Sequence, residues 1–174
     1  PWKWGGGIVA DVDTSWYTLA EGPARFEAAT PDVAAIAGMA EALSLLNTIG
    51  MPRVAAHDRA LGAYLRAELR GIPDITVYGT DDPSLVTGTC AFTIAGIPPH
   101  QAASLYDKTG GVALRAGHHC ALPLTKRVIG HREGTLRASP YVYNDRNDID
   151  RLLEVTKKIS RVAAAKTRKA ADNP

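Results

Sequence analysis

The stretch from Arg115 to Pro123, Arg-Ala-Gly-His-His-Cys-Ala-Leu-Pro, sets a guanidinium, two imidazoles and a thiol within six positions. Three chemistries fit such a set: metal ligation, an inert buried thiol, or a nucleophilic thiolate. Metal is the poorest fit. Structural zinc takes four ligands, typically in paired clusters. Here no second cluster exists, and neighbours in an extended segment point to opposite faces, so only His118 and Cys120 could share a side. Free cysteine is among the most buried residue types, and the inert reading suits Cys90, which alternates with Phe92 and Ile94. For Cys120 the inert and reactive readings both stay open. Cationic and hydrogen-bonding neighbours favour a thiolate, and Arg115, His118 and His119 could supply them. Downstream, Arg137 lies in Leu-Arg-Ala-Ser-Pro-Tyr-Val-Tyr-Asn. It is either a surface arginine on an edge strand or a carboxylate clamp, since a guanidinium fork matches a carboxylate in bidentate geometry.

The elements that must position these residues follow from periodicity. Residues 1–30 are rich in Gly, Trp and Thr and read as loops with short extended pieces. Thr30-Pro31-Asp32 predicts a helix start, with threonine as cap, proline at the first helical position and an acid in the first turn. The helix carries Val33, Ile36, Ala37, Ala40, Leu43 and Leu46 at helical spacing and stops at Gly50. A second helix, from Pro52 to about Arg70, repeats the pattern with Val54, Leu61, Tyr64, Leu65 and Leu69. The period then shortens. Residues 75–79 and 87–96 read as strands, with Cys90, Phe92 and Ile94 on one face. A helix from Pro98 to about Lys108, a strand ending at Arg115, a strand from Thr135 and a closing helix with Ile149, Leu152, Leu153 and Ile159 inward complete the chain. The order predicts an α/β protein whose small α+β domain has helices on one face of a mostly antiparallel sheet.

Composition narrows the setting. The 174 residues, 45% hydrophobic and 22% charged, can bury a real core, and a net charge of +2 is too small to argue for nucleic acid. No signal peptide or membrane span is apparent, and two cysteines make no disulfide framework. A reducing, cytosolic setting is the default. The late basic residues, interleaved with alanine, read as a fraying helix and tail. Lys126, Arg127, His131 and Arg132 form either a solvated loop or a docking face for an acidic partner. The chain opens on Pro1 and a glycine-rich loop, so a piece of something longer is expected.

The motif Arg-Ala-Gly-His-His-Cys-Ala-Leu-Pro-Leu, with Leu-Arg-Ala-Ser-Pro-Tyr-Val-Tyr-Asn downstream and Arg-Phe-Glu-Ala-Ala-Thr-Pro upstream, resembles the C-terminal part of the SufS-like (group II) cysteine desulfurases. These belong to the class V aminotransferase branch of the fold type I pyridoxal-phosphate (PLP) enzymes. The resemblance implies that residues 1–30 end the large cofactor domain, 31–71 form a connecting helix pair, 72–162 form the small domain and 163–174 a loose tail. It implies that Cys120 is the nucleophile that takes sulfur from L-cysteine as a persulfide, releasing L-alanine. Arg137 would clamp the substrate carboxylate, Arg115 would line the pocket, and His118 and His119 would serve acid–base chemistry or local positioning. Thr30 would contact the cofactor phosphate across a dimer interface, with Ala29 standing where the family has glycine. Partners implied are a second copy of the chain and a sulfur-acceptor protein, with no nucleic acid and no membrane. The family's Schiff-base lysine follows a histidine, and no lysine of this chain does. The chain alone is therefore expected to be inactive, as part of a complete desulfurase, as a split subunit, or as a stand-alone persulfide carrier.

Overall fold

A computed structural model describes the backbone of residues 1–171 apart from Trp2, Asp81 and Pro83, and the side chains as far as residue 163. The chain divides into two compact units, residues 1–50 and 51–174, so the two long helices expected as a pair fall in different units.

The first unit begins with a hairpin of β1 (Val9–Val12) and β2 (Tyr17–Leu19), in antiparallel register with a bulge between Val9 and Asp11. Ile8 is fully buried, and its carbonyl accepts from the Ala20 amide at 2.8 Å. The Ala29 amide reaches back to the Gly6 carbonyl at 2.7 Å, with Ala29 held at φ 69°. Helix α1 spans Val33–Ile49. Its cap is Asp32, not Thr30: the carboxylate accepts from the Ala35 amide at 3.0 Å, and Pro31 lies outside the helix. Aspartate satisfies an orphan first-turn donor as well as threonine does and also suits the positive end of the helix dipole. None of the α1 residues is buried, although Val33, Ile36 and Leu43 share the predicted apolar stripe.

The second unit holds α2 (Met51–Arg70), β3 (Ile75–Tyr78), β4 (Cys90–Ile94), α3 (Pro99–Gly110), β5 (Arg115–Gly117), β6 (Thr135–Ala138) and α4 (Arg146–Ala171). The four strands pair antiparallel in the order β3-β4-β6-β5. Directly opposed residues share a face, so the register sorts the sheet into two. Cys90, Phe92, Ile94, Leu136 and Ala138 face one continuous core with Leu61, Leu65 and Leu69 of α2, Ala102 and Tyr106 of α3, and Ile149, Leu152, Leu153 and Ile159 of α4. Burying a side chain such as Phe92 or Leu65 contributes roughly 1.5–3 kcal/mol. Tyr106 keeps its hydroxyl satisfied in this core by donating to Thr156 Oγ1 at 2.6 Å, whose own proton goes to the Leu152 carbonyl. The opposite face carries Thr76 and Tyr78, Ala91 and Thr93, Thr135 and Arg137, and Arg115.

The β3–β4 loop is fastened to α2. Arg66 donates to the carbonyls of Thr87 and Thr89, and Asp58 accepts the Gly88 amide at 2.7 Å. A β-carbon on Gly62 would lie 2.6 Å from Gly88 Cα, so glycine is what lets the loop backbone sit on the helix. This seating fixes where β4 begins, and hence where Ala91 meets Arg137. Helix α4 continues through Ala171. Alanine and lysine favour helix, in keeping with the fraying helix read from the sequence. Residues 172–174, assigned to the loose tail, lie outside the described residues.

Candidate active site

Two strands build the site. In the β5–β6 register Arg115 stands directly opposite Arg137, Ala116 opposite Leu136 and Gly117 opposite Thr135. The two arginines, whose convergence spacing alone leaves undecided, are thus cross-strand neighbours on the face away from the core. Strand β5 covers Arg115–Gly117, beginning where the sequence reading ends it.

The chain then turns, and does not run extended as the metal argument assumed. The Ala121 amide donates to the His118 carbonyl at 2.8 Å, with His119 at φ 53° and Cys120 at φ 62°. Two left-handed central residues closed by that bond are the signature of a type I′ turn, which normally takes Asn and Gly. Non-glycine residues there carry backbone strain of about 1–2 kcal/mol each. What the turn achieves is presentation: the Cys120 thiol is exposed, and Arg115 Nη2 donates to its Sγ at 3.8 Å.

The surroundings hold the turn in place. A β-carbon on Gly134 would collide with the Gly117 carbonyl, so the returning strand passes directly against the motif backbone. His119 Nε2 lies 3.0 Å from both the carbonyl and the hydroxyl of Thr135. Its Nδ1 is buried without a partner. Burial first, and then the charges of Arg137, Arg115 and His118, push the His119 imidazole below its usual range, partly offset by the Thr135 carbonyl. Both causes favour the neutral form of the His119 imidazole. His118 Nδ1 meets Thr125 Oγ1 at 2.7 Å. Arg137 is half-buried, and its Nε also lacks a partner. An unpartnered buried guanidinium nitrogen beside a second arginine is a ready-made anion site.

After the turn, Leu124–Val128 form one π-helical turn, a feature frequent at functional sites. Lys126, Arg127, His131 and Arg132 are exposed, as are Leu122, Leu124 and Val128. His131 packs edge-on against Tyr78, with ring centroids 5.8 Å apart.

Five of the six residues singled out from sequence, Cys120, His118, His119, Arg115 and Arg137, thus gather in the second unit. Thr30 belongs to the first, where it is exposed directly after Ala29. The φ of 69° at Ala29 explains why glycine would be at ease in that position. Sequence reasoning missed Thr125, Thr135 and Gly134. Thr125 had a usable signal, a hydroxyl seven residues beyond His118, but it was hidden inside a segment read as a basic loop.

The aminotransferase class-V family matches residues 1–152. A probable cysteine desulfurase of Methanothermobacter thermautotrophicus is 37% identical over 92% of this chain and 40% of its own length. Among solved structures, the apo cysteine desulfurase of Thermococcus onnurineus NA1 superposes with a TM-score of 0.81 at 32% identity, over 90% of this chain and 38% of that one. The cysteine desulfurase CsdA of Escherichia coli, recorded as an S-sulfonic acid, gives 0.80 at 31% identity over 93% and 39%. The chain spans about 40% of the length of the relatives it matches. Matched by that family over residues 1–152, the chain belongs to the class-V aminotransferases.

Proposed function

We propose that these residues form the sulfur-accepting and substrate-clamping portion of a PLP-dependent cysteine desulfurase of the SufS-like branch. The observation that carries this reading is the direct Arg115–Arg137 pair, with an orphaned guanidinium nitrogen, beside an exposed thiol on a strained turn. The paired arginines receive the carboxylate of L-cysteine. Cys120 as thiolate takes the substrate sulfur: a sulfur–sulfur bond forms while the carbon–sulfur bond breaks. The carbon skeleton keeps that electron pair, gains a proton and leaves as L-alanine. Arg115 stabilises the thiolate before attack.

PLP, when bound, supplies the electron sink for the substrate carbon. This chain's residues fit it in part. Thr30 offers a hydroxyl for the phosphate, whereas the start of α1 is already capped by the Asp32 carboxylate, so the helix end adds little for an anion. No lysine here follows a histidine as the family's anchoring lysine does. The chain by itself is therefore inactive in desulfuration and works with a lysine-bearing portion, joined or separate. Residues 1–30 belong to the cofactor domain of the complete enzyme, which acts as a homodimer in a reducing cytoplasm. The exposed Lys126, Arg127, His131 and Arg132, among Leu122, Leu124 and Val128, receive an acidic sulfur-acceptor protein.

The test uses the complete enzyme with its cofactor bound. Cys120→Ser is expected to abolish persulfide formation while the cofactor absorbance persists. Normal release of alanine and sulfide by that variant would sink the assignment. Desulfuration by the 174-residue chain alone would refute the division of labour.

A further inference from the structure

Between Ala121 and Glu133 Thr125 alone is buried, at 3% exposure, and the reaction outlined above makes no use of it. A hydroxyl has one proton and two lone pairs. Around Thr125 Oγ1 lie the Leu122 carbonyl at 3.1 Å, the Ala121 carbonyl at 3.4 Å and His118 Nδ1 at 2.7 Å. Carbonyl oxygens only accept, and the Ala121 carbonyl already takes the Thr125 amide at 3.0 Å. Were the proton given to the ring, the carbonyl oxygens would face only the lone pairs of the hydroxyl; with the proton on the Leu122 carbonyl, the oxygen meets the ring as an acceptor. That requires the proton on His118 Nδ1 and leaves Nε2 bare.

His119 is arranged the opposite way. Its Nε2 reaches the Thr135 carbonyl, which can only accept, so Nε2 holds the proton and Nδ1 is bare. Two adjacent imidazoles are thus set in opposite tautomers by two threonines. A free neutral histidine prefers the Nε2–H form, so His119 follows its intrinsic preference and His118 is held against it.

We propose that Thr125 is a positioning residue that holds His118 in the Nδ1–H tautomer, presenting an unprotonated Nε2 at the first position of the turn that carries Cys120. Thr125 is suited to the task because the same residue ties the segment together: its carbonyl accepts from the His131 amide at 2.9 Å. The tautomer is independent of sulfur chemistry. Only the use of Nε2 as a proton acceptor during turnover rests on the desulfurase reading.

Long-range proton–nitrogen correlation spectra of the nitrogen-labelled 174-residue chain test this, above the imidazole titration range and without cofactor. His118→Gln identifies the signals. The wild type should show His118 protonated at Nδ1. Thr125→Val should move the tautomer ratio toward Nε2–H by on the order of fivefold to tenfold, the worth of one hydrogen bond. Thr125→Ser should restore the wild-type pattern. A wild-type ring protonated at Nε2, or a Thr125→Val ring identical to wild type, overturns the proposal. If Thr125→Val does not fold, the wild-type and Thr125→Ser spectra still decide: both must show Nδ1–H. Because no turnover is read, failure of the desulfurase reading would leave this outcome untouched.

Discussion

The two cysteines of this chain lie in regions built on opposite terms. Cys90 opens a core strand, fully buried, its thiol pushed up by burial to about 11. Cys120 is exposed on a turn whose backbone suits glycine, with an arginine at its sulfur. In the first region every local preference agrees: β4 alternates, its register aligns Phe92 with Leu136, and three helices cover it. In the second the backbone is held against its preference by Thr135, by Thr125 and by the close passage of Gly134. Two consecutive left-handed non-glycine residues, His119 and Cys120, put backbone strain at this turn, and such strain clusters at sites of chemistry.

The sharpest contrast should appear in thiol reactivity. Raising Cys90 from 9.0 to about 11 cuts its thiolate about a hundredfold before access is counted. Timed alkylation followed by peptide mass analysis should therefore label Cys120 at least about a hundredfold faster than Cys90 in the folded chain. Labelling of both at one rate would erase the distinction. Stability should respond in opposite directions to small replacements. Cys90→Ala removes packed core volume and should destabilise by about 1–2 kcal/mol. Cys120→Gly relieves a left-handed residue and should stabilise by about 0.5–1 kcal/mol. Denaturant unfolding reads both, and a loss of stability in Cys120→Gly would mean that the turn is not strained. The smallest expected effect is on pH dependence. His119 is held below its unfolded value near 6.5, so the unfolded chain binds more protons in acid. Its neutral form contributes stability that is full above that value and declines as the pH falls through it. His119→Gln should flatten the stability profile below about pH 6.5 relative to wild type. An unchanged slope would assign the acid sensitivity elsewhere.

Much of the core was legible in the sequence because it obeys simple periods. Cys90, Phe92 and Ile94 alternate, and Ile149, Leu152, Leu153 and Ile159 recur at helical spacing; all are buried as that spacing requires. The site was legible as chemistry but not as geometry. Arg115 and Arg137 are separated by a segment whose path no period reveals, and only the antiparallel register brings them face to face. The turn at His119 and Cys120 was invisible for a related reason, since neither residue is one that a type I′ turn prefers. At the start of α1 threonine, proline and aspartate are all good opening residues. Choosing Asp32 over Thr30 depended on which side chain reaches the Ala35 amide.

The opposed arginines have one more consequence. Like charges directly across a strand pair weaken that pairing, and β5 is a three-residue strand at the sheet edge. Among the described residues neither guanidinium has an acidic partner. An anion seated between them would bind the pair and relieve the strand at once, so ligand affinity and edge-strand stability draw on the same free energy. A carboxylate taken up by the pair would be, by that linkage, a fastener for the strand that leads into the exposed thiol of Cys120.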